Sequence, residues 1–147
     1  MDIGSQNRWP ASALSNFAPH PFIIDGVECA SMEGFLQSLK FKNPEMQKEV
    51  CKLVGKAAKF KGKKKKWWRE QTLFWRGRPI KRDSEEFQLL LTKAFDALFE
   101  NDSFRNALKA TNNSTLTHSI GKNDIHRTVL TEREFIYQLN RLRDKLN

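Results

Sequence analysis

The chain has 147 residues, 39% of them hydrophobic, so we expect one folded domain spanning residues 1–147. No apolar run approaches the roughly 20 residues that a membrane span needs, and the N-terminus lacks a signal-peptide pattern, so we expect a cytoplasmic protein with no membrane partner. The formal net charge of the chain is +9, and its positive charge is concentrated between Lys40 and Arg82. This segment contains 16 Lys and Arg and three acidic residues, a net charge of +13, which favours a polyanionic partner.

The first predicted element is a hairpin. Two short β-prone runs, 22–24 and 27–29, flank Asp25-Gly26, and this dipeptide is a strong signal for a two-residue turn. Ser31 is placed to cap a helix that continues to about Phe41. The apolar residues of that helix recur at helical spacing and should face the core: Met32, Phe35, Leu36 and Leu39.

The middle of the chain contains one clear helix and one ambiguous stretch. Asn43-Pro44 is placed to open the helix, because proline is tolerated in the first helical turn. Its predicted apolar side consists of Met46, Val50, Leu53 and Val54. Between Gly55 and Trp75 the pattern predicts a short helix around residues 57–58 and another around residues 67–68.

A long helix and a short one are predicted next. Asp83 or Ser84 is placed to cap a helix over about residues 85–100. A second helix starts at Asp102 or Ser103 and ends near residue 110. The residues of the long helix that should be buried are Phe87, Leu90, Leu91, Ala94, Phe95, Leu98 and Phe99.

The C-terminal part is predicted to contain a strand and a final helix. Leu116–Ile120 favours the strand, and Thr131 with Glu134 three residues later is a capping box that opens the helix. The inward residues of this helix should be Phe135, Leu139, Leu142 and Leu146. Together the elements predict an α+β fold that is mostly helical: a single compact domain of about six helices with a small β-hairpin or sheet.

One face of the predicted helix 32–41 carries polar residues that could act on a substrate. Glu33, Gln37 and Lys40 recur at i, i+4 and i+7, so they align along one side. The positive end of the helix dipole should favour an ionised Glu33, which could take a proton from water or stabilise a cationic sugar. Ordinary solvent exposure explains the same spacing, so both interpretations stay open at this point.

The run from Lys59 to Arg69 carries seven positive charges beside three aromatic residues. Lysine and arginine neutralise phosphates and aromatic side chains stack on bases, so the run favours binding of nucleic acid. Trp67, Trp68 and the nearby Trp75 are the candidates for stacking. The alternative is a solvated lysine-rich loop whose tryptophans belong to the core.

Metal and cofactor motifs are absent from the sequence. His118, His126 and Asp124 do not have the spacing of known metal ligands, and Cys29 and Cys51 indicate reduced thiols. The seven glycines are scattered and form no phosphate-binding loop. We therefore expect neither a metal nor a cofactor.

Four short motifs follow one another in fixed order over about thirty residues. They are Leu14-Ser15-Asn16-Phe17, Pro21-Phe22 with Asp25-Gly26, Ser31-Met32-Glu33, and Gln37-x-x-Lys40-Phe41. Together they resemble the N-terminal signature of the NADAR family, also called YbiA-like. The resemblance continues through Gly55-Lys56-Ala57-Ala58-Lys59 with Gly62, Arg82, and Ala107-Leu108-Lys109-Ala110-Thr111, so it covers nearly the whole chain.

This resemblance implies an N-glycosidase with the NADAR/YbiA-like fold. The implied substrates are ADP-ribose attached to guanine in nucleic acid and the phosphoribosylamino-pyrimidine intermediates of riboflavin biosynthesis. The family's catalytic glutamate corresponds to Glu33, and Asp124 is the candidate for a second catalytic residue. The candidate substrate-binding residues are Asn16, Phe17, Gln37, Lys40, Lys59, Trp67, Trp68, Arg82 and His118.

The C-terminal motifs depart from the family pattern. Family members often carry a tryptophan soon after the arginine that matches Arg82, and Asp83 stands at that place here. The usual Asn-Asp and Trp-Gly segment is also missing. Either Asn123-Asp124 replaces the Asn-Asp pair, or Gly121-Lys122-Asn123 matches a different, later segment.

The sequence therefore favours a hydrolase of N-glycosyl bonds whose partner is a phosphorylated riboside or ADP-ribosyl substrate. ADP-ribosylated guanine in nucleic acid is the favoured substrate, because the basic block is larger than one phosphate requires. One alternative is an N-glycosidase of riboflavin biosynthesis intermediates. The other is a non-catalytic module that binds ADP-ribose or nucleic acid.

Overall fold

Six α-helices and two β-hairpins form the fold, and the computed structural model describes every residue from 1 to 147. The helices are α1 (Met32–Ser38), α2 (Pro44–Cys51), α3 (Gly55–Lys63), α4 (Glu85–Leu98), α5 (Asp102–Ala110) and α6 (Glu132–Asp144). The antiparallel hairpins pair β1 (Phe22–Ile24) with β2 (Val27–Cys29), and β3 (Thr72–Trp75) with β4 (Arg78–Lys81). The predicted α+β class with about six helices is confirmed. None of the helices has the length and apolar character that crossing a bilayer requires.

Local capping explains where most helices begin. A side-chain oxygen accepts a backbone N–H of the first turn in five helices; the caps are Ser31, Asn43, Ser84, Asn101 and Thr131. The predicted capping box of Thr131 and Glu134 is confirmed. Helix α1 ends earlier than predicted, because the amides of Lys40 and Phe41 bond to carbonyls three residues before them, which tightens the chain out of the α-helix.

A single cluster of 28 buried residues forms the core, in which α4 packs against both β1 and α6. The predicted core-facing residues of α1, α4 and α6 are confirmed, except that Phe99 and Leu146 are only partly buried. The predicted apolar side of α2 is wrong at two positions, since Met46 and Val54 are exposed. Gln47 is buried in that helix instead.

The buried Gln47 connects the end of α1 to the second hairpin. Its side-chain amide donates to the carbonyls of Ser38 and Phe74 at 3.0 and 2.8 Å. Its side-chain oxygen accepts the N–H of Arg76 at 2.8 Å. These bonds satisfy a buried polar group, so a glutamine takes a position where helical spacing would place an apolar residue.

The hairpin β3–β4 is not predicted by the sequence pattern. Its two-residue turn is Arg76-Gly77, with φ angles of 55° and 84°, the left-handed values that such a turn requires. Arginine is not a residue that signals this turn, and Pro79 within β4 weakens the strand signal. The helix predicted around residues 57–58 is the longer α3, and the one around residues 67–68 is a short 3₁₀ turn.

The strand predicted over 116–120 is wrong. Thr117 forms one isolated parallel bridge with Asp2, in which the N–H of Ile3 donates to the Thr117 carbonyl at 2.7 Å. The chain turns immediately afterwards, so no further residues can pair. The bridge brings the N-terminal residues beside His118.

The two cysteines are buried free thiols. The Cys51 carbonyl at the end of α2 accepts the N–H of Ala30 at 2.8 Å, which brings the segment after β2 against that helix. The neighbouring Cys51 thiol and burial raise the pKa of the Cys29 thiol. Both thiols therefore belong to the core.

Candidate functional site

A cavity of about 360 Å³ opens beside the N-terminal end of α1. Its wall comes from four separate parts of the chain: the N-terminal segment, α1, α3 and the turn after Thr117. The lining residues are Ser5, Ser15, Asn16, Phe17, Glu33, Lys59, His118 and Ile120. The structure thus brings together five residues predicted from the sequence: Asn16, Phe17, Glu33, Lys59 and His118.

A larger cavity of about 730 Å³ lies between the first hairpin and α4. Most of its surface is apolar, with Phe22 and Ile23 on one side and Ala97 on the other. It contains none of the predicted site residues. The charged residues of the larger cavity include Glu28, Lys52 and Glu100. The smaller cavity is the better candidate for chemistry, because it combines the half-buried Glu33 with a lysine and a histidine.

Backbone packing fixes Glu33 at the start of α1. The Glu33 N–H donates to the Asn16 carbonyl at 3.0 Å. Gly34 is required beside it, because a Cβ at that position would overlap the Leu53 carbonyl and lie 3.0 Å from the Cys51 carbonyl. The first turn of α1 is therefore held between two segments that are distant in sequence.

The polar face of α1 forms a connected group. Gln37 Nε2 donates to Glu33 Oε2 at 2.7 Å, whereas Gln37 Oε1 is buried and accepts no hydrogen bond within the chain. Lys40 Nζ lies 3.5 Å from the Gly62 carbonyl. All three side chains are half-buried, so ordinary solvent exposure does not describe this face.

Burial dominates the electrostatics of the face. It raises the pKa of Glu33, although the hydrogen bond from Gln37 and the charges of Lys40 and Lys59 oppose the shift. Burial lowers the pKa of Lys40, and the charge of Glu33 opposes that shift. The expectation that the helix N-terminus favours an ionised Glu33 is therefore outweighed by loss of water. A carboxyl group whose pKa moves towards neutral pH exchanges protons more effectively.

Two of the predicted tryptophans and Asp124 lie outside the cavity wall. Trp67 is part of the buried core. Trp68 is half-buried, and the guanidinium of Arg127 lies 4.1 Å from its ring centroid. Asp124 is exposed, and its carboxylate accepts the N–H of His126 at 2.9 Å, which stabilises a local turn. None of the three lies beside Glu33 in this structure.

Arg82 also lies away from the cavity, with only 1% of its surface exposed. Its two terminal nitrogens donate to the Glu134 carboxylate at 3.1 and 2.6 Å, and Nε donates to the Thr128 carbonyl at 2.9 Å. The guanidinium also stacks 4.7 Å from the centroid of Phe87. Every nitrogen of the group is engaged, so this placement favours a structural role over the predicted substrate-binding role.

The model of the bacteriophage protein GP30.3 family matches residues 8–144. The chain belongs to the bacteriophage GP30.3 family. It is 45% identical over 152 residues to a 17.1 kDa protein of the Gp30-rIII intergenic region of Enterobacteria phage T4. That alignment covers 99% of this chain and 98% of the relative, so the GP30.3 similarity extends over the whole site.

This GP30.3 family chain also shares its fold with the E. coli protein YbiA, known from an NMR structure. The TM-score is 0.63, and the superposition covers 98% of this chain and 82% of YbiA at 22% sequence identity. The fold implied by the NADAR-like motifs is thus confirmed.

Three wall residues of this GP30.3 family member were not predicted: Ser5, Ser15 and Ile120. Ser15 lies inside the motif that contains Asn16 and Phe17, so the motif was an available signal. Ser5 and Ile120 are far apart in the chain and meet through the bridge between Asp2 and Thr117. No local pattern could have identified them.

Proposed function

We propose that the chain is an N-glycosidase that hydrolyses the bond between a ribosyl C1′ and a base nitrogen in a phosphate-bearing riboside. The observation that carries the proposal is the half-buried Glu33 in the cavity wall, with a pKa raised by burial and a hydrogen bond from Gln37. Lys59 adds a positive charge to the same wall. A carboxyl group, a cation and a shaped cavity suit a sugar phosphate that is attacked by water.

The proposed chemistry follows from the charge that develops on the sugar. Breaking the C1′–N bond leaves positive charge on the ribose ring, which a nearby carboxylate stabilises. Glu33 would also accept a proton from the attacking water. Lys59 would hold a phosphate, and binding energy from that remote group would help to position the reacting bond. The leaving nitrogen requires a proton from a further group.

Gly62 offers a test of the contact between Gln37 and Glu33. A Cβ at Gly62 would overlap Gln37 Oε1 and lie 2.7 Å from Gln37 Cδ, so Gly62→Ala should displace the glutamine side chain. We expect turnover to fall roughly 10- to 100-fold, the range expected for losing a hydrogen bond to a charged group. The thermal unfolding midpoint should fall only modestly, because the amide end of Gln37 can move, although its Cβ, 3.0 Å from the added Cβ, also has to give. Steady-state kinetics and a melting curve measure both quantities.

A double-mutant cycle provides the control for this prediction. In a Gln37→Ala background the obstructing amide is gone, so adding Gly62→Ala should change turnover by less than about twofold. Losses that add in full would show that Gly62 acts by another route, such as its carbonyl contact with Lys40.

The surface next to the cavity favours a nucleic-acid-linked substrate within this proposal. Helix α3 contributes Lys59 to the wall and carries the exposed lysines 61 and 63, and the exposed lysines 64–66 follow directly after its end. Phe60 lies among them with 63% of its surface exposed, and Lys64 Nζ lies 5.1 Å from its ring centroid. Cations that bind phosphates and an aromatic ring that can stack on a base are the elements of a single-strand binding surface.

The aromatic part of that surface differs from the sequence prediction. Trp67 and Trp75 are buried, with 8% and 7% of their surfaces exposed, so they cannot stack on bases in this conformation. The Trp75 ring nitrogen donates to Asp25 at 2.8 Å. Trp68 already stacks against Arg127. Phe60 therefore replaces the tryptophans as the proposed stacking residue.

A substrate panel tests the proposed function directly. The protein would be incubated with an ADP-ribosylated guanine oligonucleotide, the free modified base, NAD, free ADP-ribose and a riboflavin-pathway riboside, with mass spectrometry detecting base release. We expect release from the oligonucleotide, at higher catalytic efficiency than from the free base at low salt. Equal efficiency would favour the small riboside, and binding without release from any of them would favour a non-catalytic ADP-ribose module.

The lysine run is expected to bind the strand. Changing Lys63–Lys66 to Gln should weaken binding of an oligonucleotide to the Glu33→Gln protein and flatten its salt dependence. Each phosphate contact on a single strand contributes about 0.7 to the slope of log affinity against log salt, so the slope should fall by up to about 3. Fluorescence anisotropy at several salt concentrations measures it.

A variant with the same change in charge provides the control. Lys48, Lys81, Lys109 and Lys145 are exposed and lie in other parts of the chain, and changing these four to Gln should leave the slope close to that of the parent. Equal effects of the two variants would mean that overall charge, and not the run Lys63–Lys66, attracts the strand.

A further inference from the structure

His118 is the histidine whose ring lies on the cavity wall, whereas the other two histidines lie elsewhere. His20 bonds to the Ala13 carbonyl and packs edge-on against Phe104, and His126 is exposed outside the cavity. His118 lines the cavity together with Glu33. It is thus the imidazole that a ligand in this cavity would meet.

The surroundings of His118 leave one ring nitrogen for a ligand. Nδ1 lies 2.8 Å from the Ile3 carbonyl, which can only accept a hydrogen bond, so Nδ1 carries a proton. The ring packs edge-on against the buried Phe135 with centroids 5.0 Å apart. Gly121 closes a third side, since a Cβ there would lie 2.6 Å from His118 Cδ2. Nε2 makes no hydrogen bond within the chain.

We propose that His118 is the group that donates a proton, from Nε2, to the leaving base nitrogen. This inference rests on the proposed N-glycosidase function and names the acid which that reaction requires. A hydrogen bond that fixes one ring nitrogen and leaves the other free is how proteins orient a histidine for proton transfer. Glu33 serves the opposite role, as the group that receives a proton from water.

The proton balance of the reaction closes with these two groups. The C1′–N bond breaks with its electron pair going to the base nitrogen, which takes the proton from His118 Nε2. Water forms the new C1′–O bond and gives its proton to Glu33. The product is a ribosyl hydroxyl and a protonated base nitrogen, and transfer of the proton from Glu33 to His118 through solvent restores the starting state.

Donation from Nε2 takes place from the imidazolium form of His118, in which both ring nitrogens carry protons, and charged groups lie around the ring. Asp2 pairs with Thr117, the residue before His118, and is fixed by Ser119, whose N–H and hydroxyl donate to its carboxylate at 2.8 and 2.6 Å. Glu33 and Lys59 face it across the cavity, with opposite charges. Glu132 lies behind the turn, and its Cβ is 3.1 Å from the position that a Cβ on Gly121 would take.

The variant His118→Asn separates proton donation from structure. An asparagine amide can take the place of Nδ1 and keep the bond to the Ile3 carbonyl, whereas nothing replaces Nε2. Two substrates with the same ADP-ribosyl group should be compared: one releases guanine, and the other releases 4-nitrophenolate, which departs without a proton. His126→Asn is the control, because that ring lies outside the cavity.

We expect His118→Asn to lower kcat on the guanine substrate about 10²- to 10⁴-fold and on the nitrophenyl substrate less than about 10-fold. Glu33→Gln should lower both, and His126→Asn neither. Equal losses on both substrates would overturn the assignment in favour of a structural His118, and so would an unchanged rate on guanine. Wild-type protein that turns over neither substrate would overturn the proposed function together with this inference, whereas turnover that needs Glu33 but not His118 would overturn this inference alone.

Discussion

Glu33→Gln is expected to lower turnover at least about 100-fold, because loss of a positioned acid–base group costs about 10²- to 10⁴-fold. The amide can neither accept a proton from water nor carry the negative charge that stabilises a cationic sugar. Its oxygen can still accept the hydrogen bond from Gln37, so the local structure should survive. Single-turnover rates on the panel substrate that releases its base provide the measurement. Rates equal to those of the wild type would contradict the assignment of Glu33.

The pH dependence supplies a control for that result. Burial raises the pKa of Glu33, and a group that accepts a proton must be ionised. Activity should therefore fall as the pH decreases through this raised pKa, at a higher pH than the ordinary glutamate value of about 4.3. The same shift means that the fold favours protonated Glu33. This contribution to stability is fully present below the ordinary pKa, and it is lost as the pH rises through the raised pKa and Glu33 ionises. At pH 8 the Glu33→Gln variant should therefore unfold at the wild-type temperature or above it.

Arg82→Met is expected to have the largest effect on stability, about 3–5 kcal/mol in the free energy of unfolding. The variant would leave the largely buried Glu134 carboxylate without its bidentate partner. Burial alone would raise the pKa of Glu134, but bonds from Arg82, Gln88 and the Thr131 amide hold it below its usual value. That carboxylate stabilises the fold above its ordinary pKa, and the contribution is lost as the pH falls through the lowered pKa. The Arg82→Met variant should therefore lose less stability than the wild type when the pH is lowered.

Urea unfolding at neutral pH and in acid measures both effects. Arg78→Met is the matched control, because Arg78 pairs with Glu86 at 2.8 Å on the surface, with side chains 73% and 44% exposed. An exposed pair of this kind contributes about 0–1 kcal/mol. A double variant, Arg82→Met with Glu134→Gln, should recover part of the loss by removing the unpaired charge. If Arg82→Met costs no more than Arg78→Met, the buried pair does not stabilise the fold.

Signals contained within a few residues predicted much of this fold, and long-range contacts explain what they missed. The capping box of Thr131 and Glu134 was predictable because both partners lie in one helical turn. The unexpected burial of Gln47 in α2 depends on the hairpin β3–β4. Gln47 is buried in order to bond Phe74 and Arg76, which lie in that hairpin and almost thirty residues further along the chain.

The residues of the candidate site also differ in whether local motifs or long-range contacts determine their placement. Glu33 could be predicted as a site residue because the order of short motifs around it is distinctive, and the structure places it in the wall of a cavity. Arg82 belongs to the same pattern, but its partner Glu134 lies 52 residues away and no local signal reports that pairing. His118 reaches the cavity because the segment before it bridges the N-terminus, and its ring bonds to Ile3, 115 residues away. The family resemblance pointed to both Arg82 and His118, but their burial and pairing are tertiary properties, so only the structure separates the cavity residue from the structural one.

The buried cysteines make local opening of the fold measurable by thiol modification. Thiols react with alkylating reagents as thiolates, and burial together with the raised pKa keeps Cys29 from reacting in the closed protein. The Cys51 carbonyl lies against Gly34, next to Glu33, so exposure of Cys51 requires the packing beneath the proposed catalytic group to separate. The rate at which a thiol reagent modifies Cys51 in the native protein therefore reports how often the packing beside Glu33 opens, independently of any substrate.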